Sequence, residues 1–339
     1  VLIYLFLIKS DMNNSRILVV APAWIGDLII SLSFLRALKN IDKNSKIDLL
    51  VNEDLVDIVK YFPIISNIIS SRTSHGKLSL LYRIKLGLKL RKNNYKDCYI
   101  LTNSFKSAII PFIAGVRNRI SYLGEFRYGL VNKIIKKIDR KEGMVNRYLN
   151  LINHKYQSEY QPALSDKIGQ NNNTHRLQLK KKYLVFCPDA EFGPSKRWPV
   201  HKWMDLAESL KDKFQIVFVG LDTTISSYIN ETHNDSFLDL IGKTSLDEVI
   251  GILGQSCCVV SNDSGLMHVA AALNLPVVGI YGSSSPQYTP PLIDDAKRVL
   301  IYKSLDCSPC YKRECPYDHL NCLNNISVED VKQSISKLV

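Results

Sequence analysis

Four short segments of this 339-residue chain hold side chains with chemical use. Ala21-Pro22-Ala23-Trp24-Ile25-Gly26-Asp27 follows a run of apolar β-formers. A carboxylate there can take a proton from an incoming hydroxyl, provided its surroundings keep its pKa from falling too low. Asp27 can equally do no more than cap the following helix. Gly26 permits a tight turn and close approach of a ligand. In the second segment, Cys187-Pro188-Asp189-Ala190-Glu191-Phe192-Gly193-Pro194-Ser195-Lys196-Arg197-Trp198-Pro199, two cations sit in a Gly/Pro loop at a helix start. They suit a diphosphate; a solvated basic turn is the plainer alternative. Trp198 is expected to pack under that loop rather than stack on a base.

The third segment runs from Val259 to Leu273 as strand, Asn262-Asp263-Ser264-Gly265 turn and small-residue helix. Backbone N–H groups at such a helix start can bind an anion. Asp263 fits poorly beside phosphate and better beside the vicinal hydroxyls of a sugar. His268, on the first turn, can donate to phosphate or can be a core histidine. The fourth segment is Cys307-x2-Cys310-x4-Cys315-x6-Cys322. Four thiolates so placed can hold a structural tetrahedral zinc. The spacing departs from a standard ribbon, so free thiols stay open as the alternative. No carboxylate cluster accompanies them, which argues against a catalytic metal. Cys98, Cys187, Cys257 and Cys258 lie in apolar runs and read as core residues.

The elements that must position these groups alternate along the chain. Apolar β runs are predicted at 16–21, 46–51, 67–70, 96–101, 183–188, 215–220, 237–241, 257–261 and 276–281. Helical periodicity is predicted between them, notably over 28–39, 77–92, 105–114, 202–213, 246–253 and 266–273. Ser327 and Asp330 form a capping box for a closing helix to Leu338. This alternation implies parallel, doubly wound sheets. The polar stretch 156–182 marks the best boundary. Domains are expected at 12–165 and 180–325, with a closing helix over 326–339; length alone suggests roughly two. Ligands bind at the carboxyl ends of strands in such sheets, and a cleft between two halves is the default site.

Composition narrows the function classes. Hydrophobic residues make up 46% and charged residues 22%, which fits a folded globular chain and excludes low-complexity classes. No apolar run approaches the roughly 20 residues that span a bilayer. Residues 1–11 lack the features of a signal peptide; a start at Met12 would remove them, and they read as a translation-start artefact or a disordered tail. The formal net charge is +12, and it is uneven. Residues 1–165 hold 26 Lys and Arg against 12 Asp and Glu, whereas residues 166–339 hold 18 against 20. The first half therefore suits an anionic partner: nucleic acid, anionic lipid or a phosphorylated acceptor. No recognition-helix, RRM or zinc-finger pattern accompanies the charge, so nucleic-acid binding is the weaker of these.

Pro22–Asp27, Ala190–Pro199, Asn262–Leu273 and Tyr281–Leu292, in that order, resemble the ADP-heptose–lipopolysaccharide heptosyltransferases, and the Ala190–Pro199 loop resembles the type II members most. The resemblance implies a GT-B fold: two Rossmann-like domains facing a cleft, the acceptor held mainly by the first and the nucleotide sugar mainly by the second. It implies an inverting transfer of L-glycero-D-manno-heptose from ADP-heptose to the first heptose of the lipopolysaccharide inner core. Types I and III, or another sugar transfer within the family, are the alternatives. By the same resemblance Asp27 is the general base and Lys196 neutralises the departing diphosphate. Gly26, Thr244, Asp263, Ser264, Gly265 and His268 bind substrate. Catalysis needs no cofactor, although the four cysteines leave room for structural zinc. The acceptor is a Kdo-lipid A-type glycolipid, and the enzyme is expected at the cytoplasmic face of the inner membrane, held peripherally by its anionic surface. Cationic candidates for that surface are the 77–92 helix and Arg117, Arg119, Arg127, Lys133, Lys136, Lys137 and Arg140. The geometric requirement is that Asp27 and the Lys196 pocket approach one sugar from opposite sides.

Overall fold

A computed structural model describes residues 16–73, 78–165, 179, 182–231 and 235–339. The expected tail at 1–11 and the start of the 77–92 helix at Lys77 lie outside them. The chain divides into two compact units, residues 1–160 and 161–339.

The first unit is built on six parallel strands: β1 Arg16–Val20, β2 Lys46–Asn52, β3 Asn67–Ser71, β4 Asp97–Ile100, β5 Asn118–Ser121 and β6 Lys133–Ile134. Their spatial order is β3-β2-β1-β4-β5-β6. β1 pairs in register with β2 (Val19 opposite Leu49) and with β4 (Val19 opposite Tyr99). Leu18 and Val19 are wholly buried because helices cover both faces of such a sheet. The strand order reverses between β1 and β4, which opens a crevice at their carboxyl ends.

The second unit repeats the plan with β7 Tyr183–Cys187, β8 Gln215–Phe218, β9 Phe237–Asp239, β10 Cys258–Asn262, β11 Val277–Tyr281 and β12 Arg298–Tyr302. Their order is β12-β11-β10-β7-β8-β9. All five residues of β7, β10 and β11 are buried. The reversal here falls between β7 and β10. The core beneath centres on Trp198, Trp203, Phe186 and Phe218, with rings 5.3 to 5.6 Å apart in tilted or edge-on contacts. The closing helix is Val328–Ser336, capped by Ser327 and Asp330 as the sequence predicts.

Three strands fall outside the sequence expectation: β5, β6 and β12. The 77–92 periodicity puts Leu78, Leu81, Ile84 and Leu88 on one stripe of a basic amphipathic helix. In the Leu80–Leu90 helix the buried residues are Arg83, Gly87 and Leu90. Leu81 is 77% exposed and Leu88 54%.

Candidate active site

In the second unit, Lys196 follows β7 and Asp263 follows β10, so the two flank the reversal of strand order. Lys196 Nζ donates to Asp263 Oδ2 at 2.5 Å. The Ser284 hydroxyl, beyond β11, donates to the same oxygen. His268 Nε2 lies 4.0 Å from Asp263 Oδ1. Asp263, His268 and Ser284 are each 4% exposed. The Oδ2 oxygen of Asp263, a residue read in the sequence as a partner for sugar hydroxyls, is taken by the lysine and the serine. The carboxylate is buried, and it orients the lysine.

Local chemistry explains why the loop holds this shape. Gly193 has φ +145°, and a Cβ there would meet the Arg313 carbonyl at 2.7 Å. Gly282 lets β11 end against the Ser195 carbonyl, 2.6 Å from where its Cβ would stand. Ser195 is pinned between strands: its N–H donates to Arg313 O at 3.2 Å, and its hydroxyl lies 2.9 Å from that of Ser283. Asn262 ties the two loops together, its side chain donating to Pro188 O (2.7 Å) and accepting from Trp198 N–H (3.1 Å). Trp198 packs under the loop, 1% exposed, and donates its indole N–H to Ile326 O. Arg197 is spent internally, paired with Asp189 at 3.2 Å and Asp222 at 2.5 Å. Lys196 is the cation of this loop that pairs with Asp263 beside the reversal of strand order.

Arg313 is the residue that sequence reasoning missed. Its guanidinium stands 5.4 Å from the Phe192 ring centre, and the Lys196 ammonium stands 5.0 Å from the same ring. Only the fold brings Arg313 back to a loop more than a hundred positions earlier.

His268 is neutral at physiological pH. Burial pushes its pKa down to about 4, nearby Asp263 opposes that and Lys196 reinforces it. Its Nδ1 is buried and has no hydrogen-bond partner. Ser264 caps the Gly265–Ala272 helix through backbone geometry, while its hydroxyl lies 3.1 Å from that of Ser261. The Gly265 N–H opens that helix at the same sheet edge. Thr244 sits on the turn after β9, its hydroxyl 3.4 Å from Leu240 O. It shares the carboxyl edge of the sheet but lies beyond β8, on the far side of β7 from Asp263.

Asp27 belongs to the first unit. It is not the helix cap: Trp24 is, and the helix runs Ile25–Ile41 with Asp27 in its first turn. A carboxylate there is favoured by the helix dipole. Asp27 is half-buried beside Gly26 at the carboxyl end of β1. Across the β1–β4 reversal lies a wholly buried cation, Arg127. Its guanidinium donates to the carbonyls of Leu123 (3.1 Å), Thr102 (2.8 Å) and Tyr122 (2.6 Å), and to the hydroxyls of Ser107 and Ser121. Burial lowers its pKa to about 10, with Glu125 opposing. Arg127 therefore braces loops rather than meeting an anionic surface, contrary to its place among the cationic candidates.

The four C-terminal cysteines are free thiols. Among the described residues no three or more His, Cys, Asp or Glu are disposed to hold a metal ion. The loop has another use: Tyr311 N–H donates to Ser283 O at 2.8 Å, and Arg313 O receives Ser195 N–H. It buttresses the lysine loop.

Among the described residues no helix is long and apolar enough to cross a membrane. Residues 83–321 match the model of glycosyltransferase family 9, the heptosyltransferases. The chain is 37% identical over 307 residues to lipopolysaccharide heptosyltransferase 2 of Escherichia coli, covering 84% of this chain and 88% of that one. It is 33% identical to lipooligosaccharide heptosyltransferase 2 of Haemophilus ducreyi, covering 96% and 99%. The solved structure of the Escherichia coli ADP-heptose lipopolysaccharide heptosyltransferase II superposes with a TM-score of 0.80 at 32% identity, covering 95% and 98%. With the paired parallel sheets and the lysine loop at the switch point, these matches make the chain a GT-B glycosyltransferase, a member of the family 9 heptosyltransferases that build the lipopolysaccharide core.

Proposed function

We propose that this enzyme performs the type II step, moving heptose from ADP-heptose to the first heptose of the inner core with inversion at the anomeric carbon. The observation that carries the reading is Lys196, oriented by Asp263 at the switch point of the second unit. An ammonium has three N–H donors. One goes to Asp263, which leaves two for diphosphate oxygens. The likeness to type II relatives at 33–37% identity supports the choice of donor and acceptor.

The chemistry is a single displacement. The Asp27 carboxylate takes the proton of an acceptor hydroxyl as that oxygen bonds to the anomeric carbon. The bond from that carbon to the diphosphate oxygen breaks, and ADP departs with the electron pair. Negative charge grows on the diphosphate, where Lys196, the Gly265 N–H and neutral His268 as a hydrogen-bond donor stabilise it. Ser264 and Thr244 complete the contacts to the nucleotide sugar. Asp263 acts through Lys196, and Gly26 gives the acceptor room beside Asp27. This route asks no metal of the protein. The first unit, with its cationic excess, takes the phosphorylated, Kdo-bearing glycolipid, and the enzyme works at the cytoplasmic face of the inner membrane.

The test is an acceptor panel with ADP-heptose as donor, read by mass spectrometry. Addition of one heptose to a heptose-terminated core, and none to a Kdo-terminated core, is the expected result. Transfer to the Kdo-terminated core would move the enzyme to the type I step, and transfer only to a completed two-heptose core to a later one.

A further inference from the structure

We propose that the outward face of the Leu80–Leu90 helix is a docking surface for an anionic lipid bilayer. This deepens the glycolipid-acceptor reading above and rests on it.

The helix presents the wrong face to water for an ordinary surface helix. At 100° per residue, Leu81, Lys85 and Leu88 fall on one line of the Leu80–Leu90 helix. Leu81 is 77% exposed, Leu88 54% and Leu78, just before the helix, 46%. Lys85, Lys89, Arg91 and Lys92 are exposed among and beside them. The opposite face cannot be exchanged for this one. Gly87 is buried so close to Ile113 that a Cβ would stand 2.7 Å from that side chain. Arg83, 5% exposed, donates to Leu78 O at 2.7 Å and Lys106 O at 3.1 Å. Rolling the leucines inward would break those bonds and expose Leu90. The leucines are thus held outward by the fold.

Charge selects the occupant. From Ile58 to Lys96 the sequence has no Asp or Glu. Nucleic acid would use the cations and gain nothing from the leucines. A lipid surface uses both: the leucines enter the acyl boundary while lysine stems lie along it and lift their ammonium groups to anionic headgroups. Position fits the chemistry as well. Arg83 fastens the start of the helix to the segment after β4, and β4 lies beside β1, whose carboxyl end leads to Asp27. The docking face therefore begins at the sheet edge where a membrane-held acceptor must present its hydroxyl.

The experiment uses the full chain with vesicles of phosphatidylcholine alone or mixed with phosphatidylglycerol. Sedimentation with the anionic vesicles, much weaker with neutral ones, is expected. Leu81→Ser/Leu88→Ser and, separately, Lys85→Glu/Lys89→Glu should each weaken that binding at least about 10-fold, since one cation near such a surface is worth about fivefold. Both variants should keep wild-type transfer to a delipidated core oligosaccharide and lose transfer to vesicle-embedded acceptor. Failure of the wild type to bind anionic vesicles overturns the proposal. So does a leucine variant that binds normally, or one whose altered oligomeric state assigns the stripe to a second copy. Vesicle binding that depends on the stripe, in a protein that transfers heptose to no acceptor, supports the surface and counts against the glycolipid reading instead.

Discussion

At equivalent places in two matching strand orders, just past the first strand of each unit, one half carries Asp27 and the other Lys196. Each residue sits beside the reversal of its own sheet, β1 against β4 and β7 against β10. The topology dictates where a ligand group must stand and leaves its charge to the loop. In the second unit the loop is locked: Lys196 is 17% exposed, and Asp263 anchors it at 2.5 Å. In the first, the buried cation Arg127 spends its hydrogen bonds on the loops themselves, and Asp27 remains half-buried. A leaving group needs fixed charge in a dry setting, because preorganised dipoles and ions act most strongly there. A base must stay accessible to an acceptor that arrives from outside. The two edges differ in the sense that the two proposed tasks require.

Removing the proposed base breaks the comparison most directly. Asp27→Asn is expected to lower transfer about 1,000-fold, within the usual range for a general base. Binding of ADP-heptose, followed by calorimetry, should stay within a few-fold, because the nucleotide is assigned to the other unit. Near-normal turnover would end the assignment of Asp27. Lys196→Ala is next in size: transfer should drop about 100-fold and donor binding should weaken with it. Asp263→Asn tests the anchoring. If Asp263 acts through Lys196, adding Asp263→Asn to Lys196→Ala costs much less than it does alone. Full additivity would mean that Asp263 contacts substrate directly.

How much of this was legible in the sequence follows from the range of each interaction. Continuous apolar runs such as Leu184-Val185-Phe186 declare buried parallel strands by themselves, and the lysine loop and the Asn262–Gly265 turn declare themselves by local composition. β5, β6 and β12 do not, because β5 is four residues long and only half buried, and β6 and β12 are partly buried or exposed edge strands. The role of Arg127 is invisible in one dimension: its partners are carbonyls of residues 102 to 123, which carry no sequence signal. Which face of the leucine-striped helix is buried was hidden for a related reason. Periodicity finds an apolar face but cannot tell that Arg83 on the other face is satisfied by two carbonyls and that Gly87 must meet Ile113. Cysteine spacing left metal and free thiols both open, and it carries no sign that the loop's backbone reaches the Ser195 and Ser283 segments. Burial opposes ionisation of Cys315, yet the amides of Leu320, Tyr317, His319 and Asp318 outweigh it and hold that thiol low.

Stability sharpens the contrast between the edges. Arg127→Met removes donors from four carbonyls and two hydroxyls in a space with little water. The loss should be about 3 kcal/mol or more, read as a lower urea midpoint. A change under about 0.5 kcal/mol would show that the first unit's loops hold themselves without the arginine.

The smallest effect concerns His268 and appears as a pH slope. Its folded pKa of about 4 lies below the ordinary histidine value of 6.5. Between those values the unfolded chain binds a proton that the folded chain does not, so the stability slope with pH is positive there. The contribution is fully present above pH 6.5 and is lost as pH falls toward 4. Its ceiling, from a shift of that size, is about 3 kcal/mol. His268→Gln keeps a hydrogen-bonding side chain and cannot titrate. Urea midpoints at pH 7 and pH 5 should therefore differ less in this variant than in the parent, and transfer by the parent should show no break near pH 6.5 from this group. A parent whose activity follows a group of pKa 6.5, with that dependence absent in the glutamine variant, would mean that His268 is charged in the working enzyme. The second unit's edge would then rest on two cations facing one aspartate, not on a single lysine beside a neutral ring.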